Sequence, residues 1–307
     1  MTTTTQDIIW IAVDWGTSQL RVWAIGSDNK PIASASSERG MSTLGPDAFE
    51  PALLELIEPY LTADRITPVI CCGMVGARQG WAEAAYVTVP CQPPTGRTAT
   101  RVTATDPRIS VSILPGIKQL APADVMRGEE TQIAGFLSEM PEFDGVICLP
   151  GTHTKWAHIS AGEIVSFQTF MTGEIFALMS KQSVLRFSIE TEAFDPPSFE
   201  AALDDAMARP QLLAAHLFGI RAAGLVAGLS PAKARARLSG LLIGAELAAA
   251  RPYWLGQNVA IIGAASVSQL YYDALRAQGL NTTMVNVTDM TLSGLTAAHQ
   301  SIKGATQ

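Results

Sequence analysis

Pro150-Gly151-Thr152-His153-Thr154 decides the fold, because it repeats a pattern met near the N-terminus as Asp14-Trp15-Gly16-Thr17-Ser18. Each stretch closes an apolar run, residues 146–149 in one case and 8–14 in the other, that reads as a buried strand. A second strand follows each turn, at 20–25 and 156–159. A polar turn (Gly26-Ser27-Asp28-Asn29, Ser160-Ala161-Gly162) and a third strand (32–38, 163–169) complete each unit. Two halves that open alike imply a duplicated architecture. Pro141 to Gly145, a Pro, acidic residues and a Gly between apolar elements, is the hinge expected between them.

Working outward, helical periodicity covers 49–60, with Phe49, Leu53, Leu56, Ile57 and Tyr60 on one face. A buried strand at 68–72 runs into the loop Gly73 to Trp81. Residues 90–105 read as loop, 109–114 as strand, and a helix is expected from Gly128 or Glu129 to about Met140. After the second hairpin the chain is Ala-rich and helical from about 172 to 251. A strand at 259–262 then enters Gly263-Ala264-Ala265-Ser266, followed by a helix at 267–278, a strand at 283–287 and a helix at 292–302. Strands and helices in this order give an α/β protein with a mixed sheet in each half, domains expected at 7–140 and 145–303.

Composition excludes several functions. Of the 307 residues 48% are hydrophobic and 16% charged, the latter low against a typical ~25%, so the chain is no disordered tail protein. A net charge of −7 argues against a nucleic-acid partner, which would need clustered Lys and Arg. The most apolar stretch, 212–229, is interrupted by His216 and Arg221, and the N-terminal threonine run has no signal-peptide pattern. Cys71, Cys72, Cys91 and Cys148 show no metal-ligand spacing and read as reduced thiols of a cytoplasmic protein. The apolar helices from Leu212 to Ala250 are domain core or part of a homodimer interface.

There is no Gly-Lys-Ser/Thr P-loop, no Gly-x-Gly-x-x-Gly and no Gly-x-Ser-x-Gly. Three Gly-containing turns remain, each after a buried strand, where backbone N–H groups can surround an anion because glycine has no Cβ to block it. Thr17, Ser18, Thr152 and Thr154 add hydroxyls. Hairpins need glycine in any case, so one such turn says little; three in this order, two in matching hairpins, point to phosphate binding.

These turns resemble the nucleotide motifs of the sugar-kinase branch of the actin, hexokinase and Hsp70 superfamily, in which two ribonuclease-H-like (actin-like ATPase) domains hold ATP in a cleft between them. Asp14 to Ser18 (Asp14, Gly16, Thr17, Ser18) looks like the first phosphate motif and Gly151, Thr152, His153 and Thr154 like the second. Gly263, Ala264, Ala265 and Ser266 look like the adenosine motif, with Ala264 departing by one methyl. Closer still is the similarity to the 2-dehydro-3-deoxygalactonokinase family, over essentially the whole chain, most specifically at 73–81, 126–135, 149–156 and 241–247 (Leu-Leu-Ile-Gly-Ala-Glu-Leu).

The resemblance implies ATP and Mg²⁺ as cofactors and phosphorylation of 2-dehydro-3-deoxy-D-galactonate at its 6-hydroxyl. Asp14 becomes a Mg²⁺ partner through water, and Arg21, which resembles an arginine often found in that hairpin, is expected to bind the substrate. Gly128-Glu129-Glu130 occupies the place of a Gly-Asp that supplies the base in related kinases, so Glu129, or Glu130 beside it, takes that role; acidic residues at a helix N-terminus also simply favour its dipole. A carboxylate-bearing sugar needs a cation, which Arg78 supplies with Gln79 and Trp81 beside it. Lys155 faces either phosphate or solvent, and 171–174 lines the cleft. The alternatives are a kinase of another sugar acid such as 2-keto-3-deoxygluconate, an ATPase or phosphatase of the same fold, and a nucleotide-sensing protein without catalysis.

Overall fold

A computed structural model of the chain describes residues 8–303. The threonine run and the first residue of the expected 7–140 domain lie outside them. The described chain divides into two compact units, one comprising 8–143, 160–166 and 287–303, the other 144–159 and 167–286.

Unit 1 is built on a six-stranded sheet. Its first strand, β1 (Ile8–Trp15), is almost wholly apolar and buried, and pairs antiparallel with β2 (Leu20–Gly26), which pairs antiparallel with β3 (Pro31–Ser37). On the other side β1 runs parallel to β4 (Thr67–Gly73), and β4 parallel to β7 (Ile109–Ile113), with β6 (Thr100–Val102) at the edge. Helix α1 (Phe49–Ile57) covers one face, burying Phe49, Leu53 and Ile57 against Val13, Trp15 and Cys71. Three short strands, β5 (Tyr86–Thr88), β8 (Gly116–Leu120) and β9 (Ala123–Met126), form a separate small sheet that the sequence does not announce. They are three to five residues long, too short for a clean alternation to show. For the same reason β6 lies inside a segment expected to be loop.

The opposite face of the sheet, carrying Trp10, Ala12, Ile70 and Cys72, is covered by Leu295 and Ala298 of the last helix, α9 (Val287–Lys303). This corrects the expected domain limits: α9 and residues 160–166 cluster with unit 1, not with a 145–303 domain. The physical reason is the crossing of α9 with α2 (Glu129–Glu139). A Cβ on Gly135 would lie 1.9 Å from the Met290 carbonyl oxygen, and one on Gly294 1.9 Å from that of Thr131. Two facing glycines let the backbones touch where any side chain would hold them apart. The helix also begins five residues earlier than expected, at Val287.

Unit 2 repeats the plan. Its sheet has the order β12-β11-β10-β13-β14, with β10 (Gly145–Leu149), β11 (Thr154–Ser160), β12 (Glu163–Phe170), β13 (Val259–Gly263) and β14 (Thr282–Asn286), the end of β11 and the start of β12 being the residues that group with unit 1. The corresponding unit 1 order is β3-β2-β1-β4-β7. In both, the first strand is antiparallel to the second and parallel to the fourth. This is the expected ribonuclease-H-like plan, twice. The Ala-rich region forms α3 (Thr172–Lys181), α4 (Pro196–Ala208), α5 (Leu213–Val226), α6 (Pro231–Ala249) and the single turn α7 (Arg251–Trp254), and α8 (Ala265–Ala277) follows β13. Helix α6 is core, with Leu238, Leu241, Leu242 and Leu247 buried, whereas α5 fully buries only Ile220 and exposes Phe218, Leu225 and Val226.

Candidate active site

In unit 1 the carboxyl ends of the parallel strands β1 and β4 bring chemistry together, as they do in open α/β sheets generally. Asp14 pairs in register with Arg21 across the hairpin and with Cys72 across the parallel ladder. Its carboxylate forms an ion pair with the Arg21 guanidinium and accepts from the Cys72 thiol at 3.9 Å. Burial pushes Asp14 above the usual carboxylate range, and Arg21 pulls it back. Arg21, expected to meet the substrate, is thus ion-paired to Asp14 with 36% of its side chain exposed. Thr17 and Ser18 are exposed at the tip of the turn. Backbone bonds from Met41 to Gly16 and from Ser42 to Thr17, each 3.0 Å, brace the turn from outside.

Gly128, at φ 114°, adopts a backbone that a side chain would strain and turns the chain into α2 next to Gly73. The two glutamates that follow part company. Glu130 is 1% exposed and folds back so that the Gly128 N–H donates to its carboxylate at 2.8 Å. Burial, then the charge of Glu129, pushes it up to about 8. Glu129 is half-buried and accepts from the Arg127 N–H at 3.1 Å.

Arg127 has no part in the sequence reading. It is buried, with its guanidinium 4.2 Å from the Tyr86 ring centroid and one N–H donating to the Ala84 carbonyl at 2.8 Å, and it packs against Gly76. A basic residue before a Gly-Glu-Glu turn was its only signal. Its place between the 73–86 loop and the glutamate turn emerges only when β8 and β9 fold.

Of the four residues expected to meet the sugar acid, the three besides Arg21 lie apart in character. Arg78 projects with 81% of its side chain exposed and a 3.6 Å contact to Glu83, and Gln79 is exposed. Trp81 turns inward, edge-on to Trp15 at 6.3 Å between centroids. It also lines an open groove of about 1040 Å³ beside Glu50, Asp106 and Arg108. The polar groups of that groove satisfy one another: Glu50 accepts the Thr105 and Asp106 N–H groups, and Arg108 is held by Asp106 and Glu58. None of its lining belongs to the cluster of Asp14, Glu129 and Glu130.

In unit 2, Gly151, Thr152 and His153 are exposed on the β10–β11 turn. His153 Nε2 lies 2.6 Å from Glu174, whose own N–H donates to the Thr152 carbonyl at 2.9 Å, which gives the 171–174 segment a definite place against the turn. Thr154 is fully buried with its hydroxyl 3.0 Å from the Tyr271 hydroxyl, so it does not face a phosphate as expected. Lys155 is 5% exposed, not a solvent-facing strand charge. Gly263 ends β13, Ala264 caps α8, and Ala265 and Ser266 form its exposed first turn, so the helix starts two residues before the expected 267. A helix N-terminus there presents N–H groups suited to phosphate. A cavity of about 440 Å³ joins the two turns, lined by Gly151 and Ser266 together with Phe176, Phe194, Arg235 and Tyr271. The Arg235 guanidinium sits 5.4 Å from the Phe176 centroid. Sequence reasoning missed Phe176, Phe194 and Arg235, which carry no local motif and meet only through the packing of separate helices.

Among the described residues no three or more His, Cys, Asp or Glu side chains group to hold a metal ion.

Two hairpins with Gly-Thr turns on the same five-strand plan, together with the family match over most of the chain, mark a carbohydrate kinase of the actin-like ATPase fold. The chain belongs to the 2-keto-3-deoxy-galactonokinase family, which matches residues 14–298. It is 38% identical over 302 residues to a Rhizobium meliloti (strain 1021) protein named probable 2-dehydro-3-deoxygalactonokinase, covering 95% of this chain and 97% of that one. It is 32% identical over 280 residues to the Escherichia coli (strain K12) 2-dehydro-3-deoxygalactonokinase, covering 90% and 92%. A crystal structure of a Sinorhizobium meliloti protein assigned as a 2-dehydro-3-deoxygalactonokinase superposes with a TM-score of 0.89 at 36% identity, covering 95% of this chain and 99% of that one. No helix among the described residues is long and apolar enough to cross a membrane.

Proposed function

We propose that the protein transfers the γ-phosphoryl group of ATP to the 6-hydroxyl of 2-dehydro-3-deoxy-D-galactonate, with Glu129 as the general base. One observation carries the assignment of the base: adjacent glutamates stand in opposed environments. Glu130 is sealed and held near pKa 8, a poor acceptor already bonded to Gly128, while Glu129 remains partly open at the start of α2. Groups pushed apart in this way take different tasks.

The acceptor hydroxyl gives its proton to Glu129 as its oxygen bonds to the γ-phosphorus, and the β–γ bridging oxygen leaves with ADP. In unit 2 the amides of the Gly151–His153 turn and the first turn of α8 at Ala265–Ser266 supply donors for the polyphosphate, and the 440 Å³ cavity takes the nucleoside; in unit 1 the exposed Thr17 and Ser18 offer donors of the same kind. Asp14 would hold Mg²⁺ through water, and the ion would supply charge neutralisation on the β- and γ-oxygens. Arg78, exposed at the end of its loop, is placed to grip the substrate carboxylate, with Gln79 and the inward Trp81 shaping that loop. Buried reduced thiols at Cys71, Cys72 and Cys148 support a cytoplasmic setting.

A coupled ADP-release assay over a panel of 2-keto-3-deoxy sugar acids tests this directly. Release dependent on the galactonate derivative is expected; release without any sugar acid would sink the proposal, and equal turnover of the gluconate epimer would widen the substrate. In the same assay Glu129→Gln should lower kcat by about 100-fold or more while the ATP KM stays within about twofold. Near-normal turnover in that variant removes Glu129 from the role.

A further inference from the structure

We propose that Glu246, which nothing in the reaction chemistry uses, is the positioning residue of the nucleotide site, and that it acts through Tyr271 and Thr172 on the cavity wall. This rests on the reading of unit 2 as the nucleotide-binding half. Glu246 lies on α6, is 3% exposed, and does not itself line the cavity. One carboxylate oxygen accepts from the Trp156 indole N–H at 2.8 Å. The other accepts from the Tyr271 hydroxyl at 2.8 Å and from the Thr172 hydroxyl.

Those donors come from three different elements. Trp156 lies on β11, two residues beyond Thr154, where the second phosphate turn re-enters the sheet. Thr172 opens α3, which binds the same turn through Glu174 to Thr152 and His153. Tyr271 lies on α8, whose first turn carries Ser266. Thr172 and Tyr271 both line the cavity. One carboxylate thus ties together the turn, the helix that braces it and the helix that closes the pocket.

Charge chemistry gives the network a direction. An ionised carboxylate only accepts and an indole N–H only donates. Tyr271 must then donate to Glu246, and so accepts from Thr154, which closes the chain back onto the phosphate turn. Burial raises Glu246 to about 7, and the bonds from Thr172, Trp156 and Tyr271 work against that rise. A hydrophobic pocket would need no such group. A satisfied buried polar network rigidifies what it joins, at the cost of being sensitive to the loss of any member.

Glu246→Gln keeps the shape and leaves an acceptor for Trp156, but puts an amide donor where Tyr271 and Thr172 now donate. Expected is a rise of about tenfold in the ATP KM and in the ADP Kd measured by calorimetry. The sugar-acid KM, kcat at saturating ATP and far-ultraviolet circular dichroism should change by less than about twofold. Tyr271→Phe, which removes one hydroxyl, should move the ADP Kd in the same direction, and the double variant should be no weaker than Glu246→Gln alone, because both act through one bond. An unchanged ADP Kd in folded Glu246→Gln overturns the proposal, as does a rise of both substrate KM values together. If Glu246→Gln does not fold, Tyr271→Phe decides, and an unchanged ADP Kd there has the same meaning. Ser266→Trp, which fills the cavity, separates the two levels of inference. If it leaves ADP binding intact, the nucleotide site itself is misplaced; if it abolishes binding while Glu246→Gln does not weaken it, only the role of Glu246 fails.

Discussion

Glu129 and Glu130 show how far one position on a helix can separate two identical side chains. Successive residues are turned by roughly 100° on a helix of 3.6 residues per turn, so when one faces the sheet its neighbour turns aside. The sealed Glu130 makes stability depend on pH. Its folded pKa of about 8 lies above the usual 4.5, so its contribution is fully present below pH 4.5 and is lost as pH rises through 8. The melting temperature of the protein should therefore fall between about pH 5 and 9, and Glu130→Gln should flatten that fall. A residual slope of the same sign is expected from Glu246, raised to about 7. An identical pH profile in the variant would mean Glu130 is not buried as described. Arg78→Ala, on an exposed side chain without a buried role, should raise the sugar-acid KM by about tenfold and leave stability and the ATP KM untouched. An unchanged sugar-acid KM removes Arg78 from the site.

At the scale of elements, the hairpins and long strands were legible because β1, β4 and β10 are nearly continuous apolar runs bounded by turn residues. The helices around them were legible from periodicity and, for α2, from acidic residues in the first turn. What escaped were the short strands β5, β6, β8 and β9, whose existence depends on neighbours contributed from elsewhere in the chain. The α2–α9 crossing also escaped, since Gly135 and Gly294 are unremarkable within their own helices. Gly135→Ala or Gly294→Ala forces a Cβ to within 1.9 Å of a backbone oxygen of the other helix, so the helices must separate. Each should lower the unfolding free energy by about 1–3 kcal/mol, read as an earlier denaturation midpoint. No change in midpoint would show that the helices do not touch.

For the whole molecule, the sequence-distant α9 is structurally part of the first unit. It supplies Leu295 and Ala298 to the face of the sheet that bears Trp10, and its His299 ring stacks on Trp10 at 4.4 Å. A chain ending at Asn286 should accordingly leave residues 8–143 open to rapid proteolysis while 167–286 stays resistant. Equal resistance of both segments would contradict the assignment of α9. The duplicated plan was visible in the sequence, because each half begins with its own Gly-Thr turn after a buried strand. So was the acidic base candidate, as a Gly-Glu-Glu at a helix start. The sequence by itself determined the local features: which runs become strands, where the turns fall, and that two halves share a plan, since strand and turn formation depend on near neighbours. Only the tertiary structure decided that Glu130 is sealed, that Thr154 points inward, that Phe176, Phe194 and Arg235 share a cavity with Ser266, and that Glu246 joins three elements. Burial, the loss of water around a charge and the meeting of side chains from distant segments are properties of packing, and no local pattern encodes them.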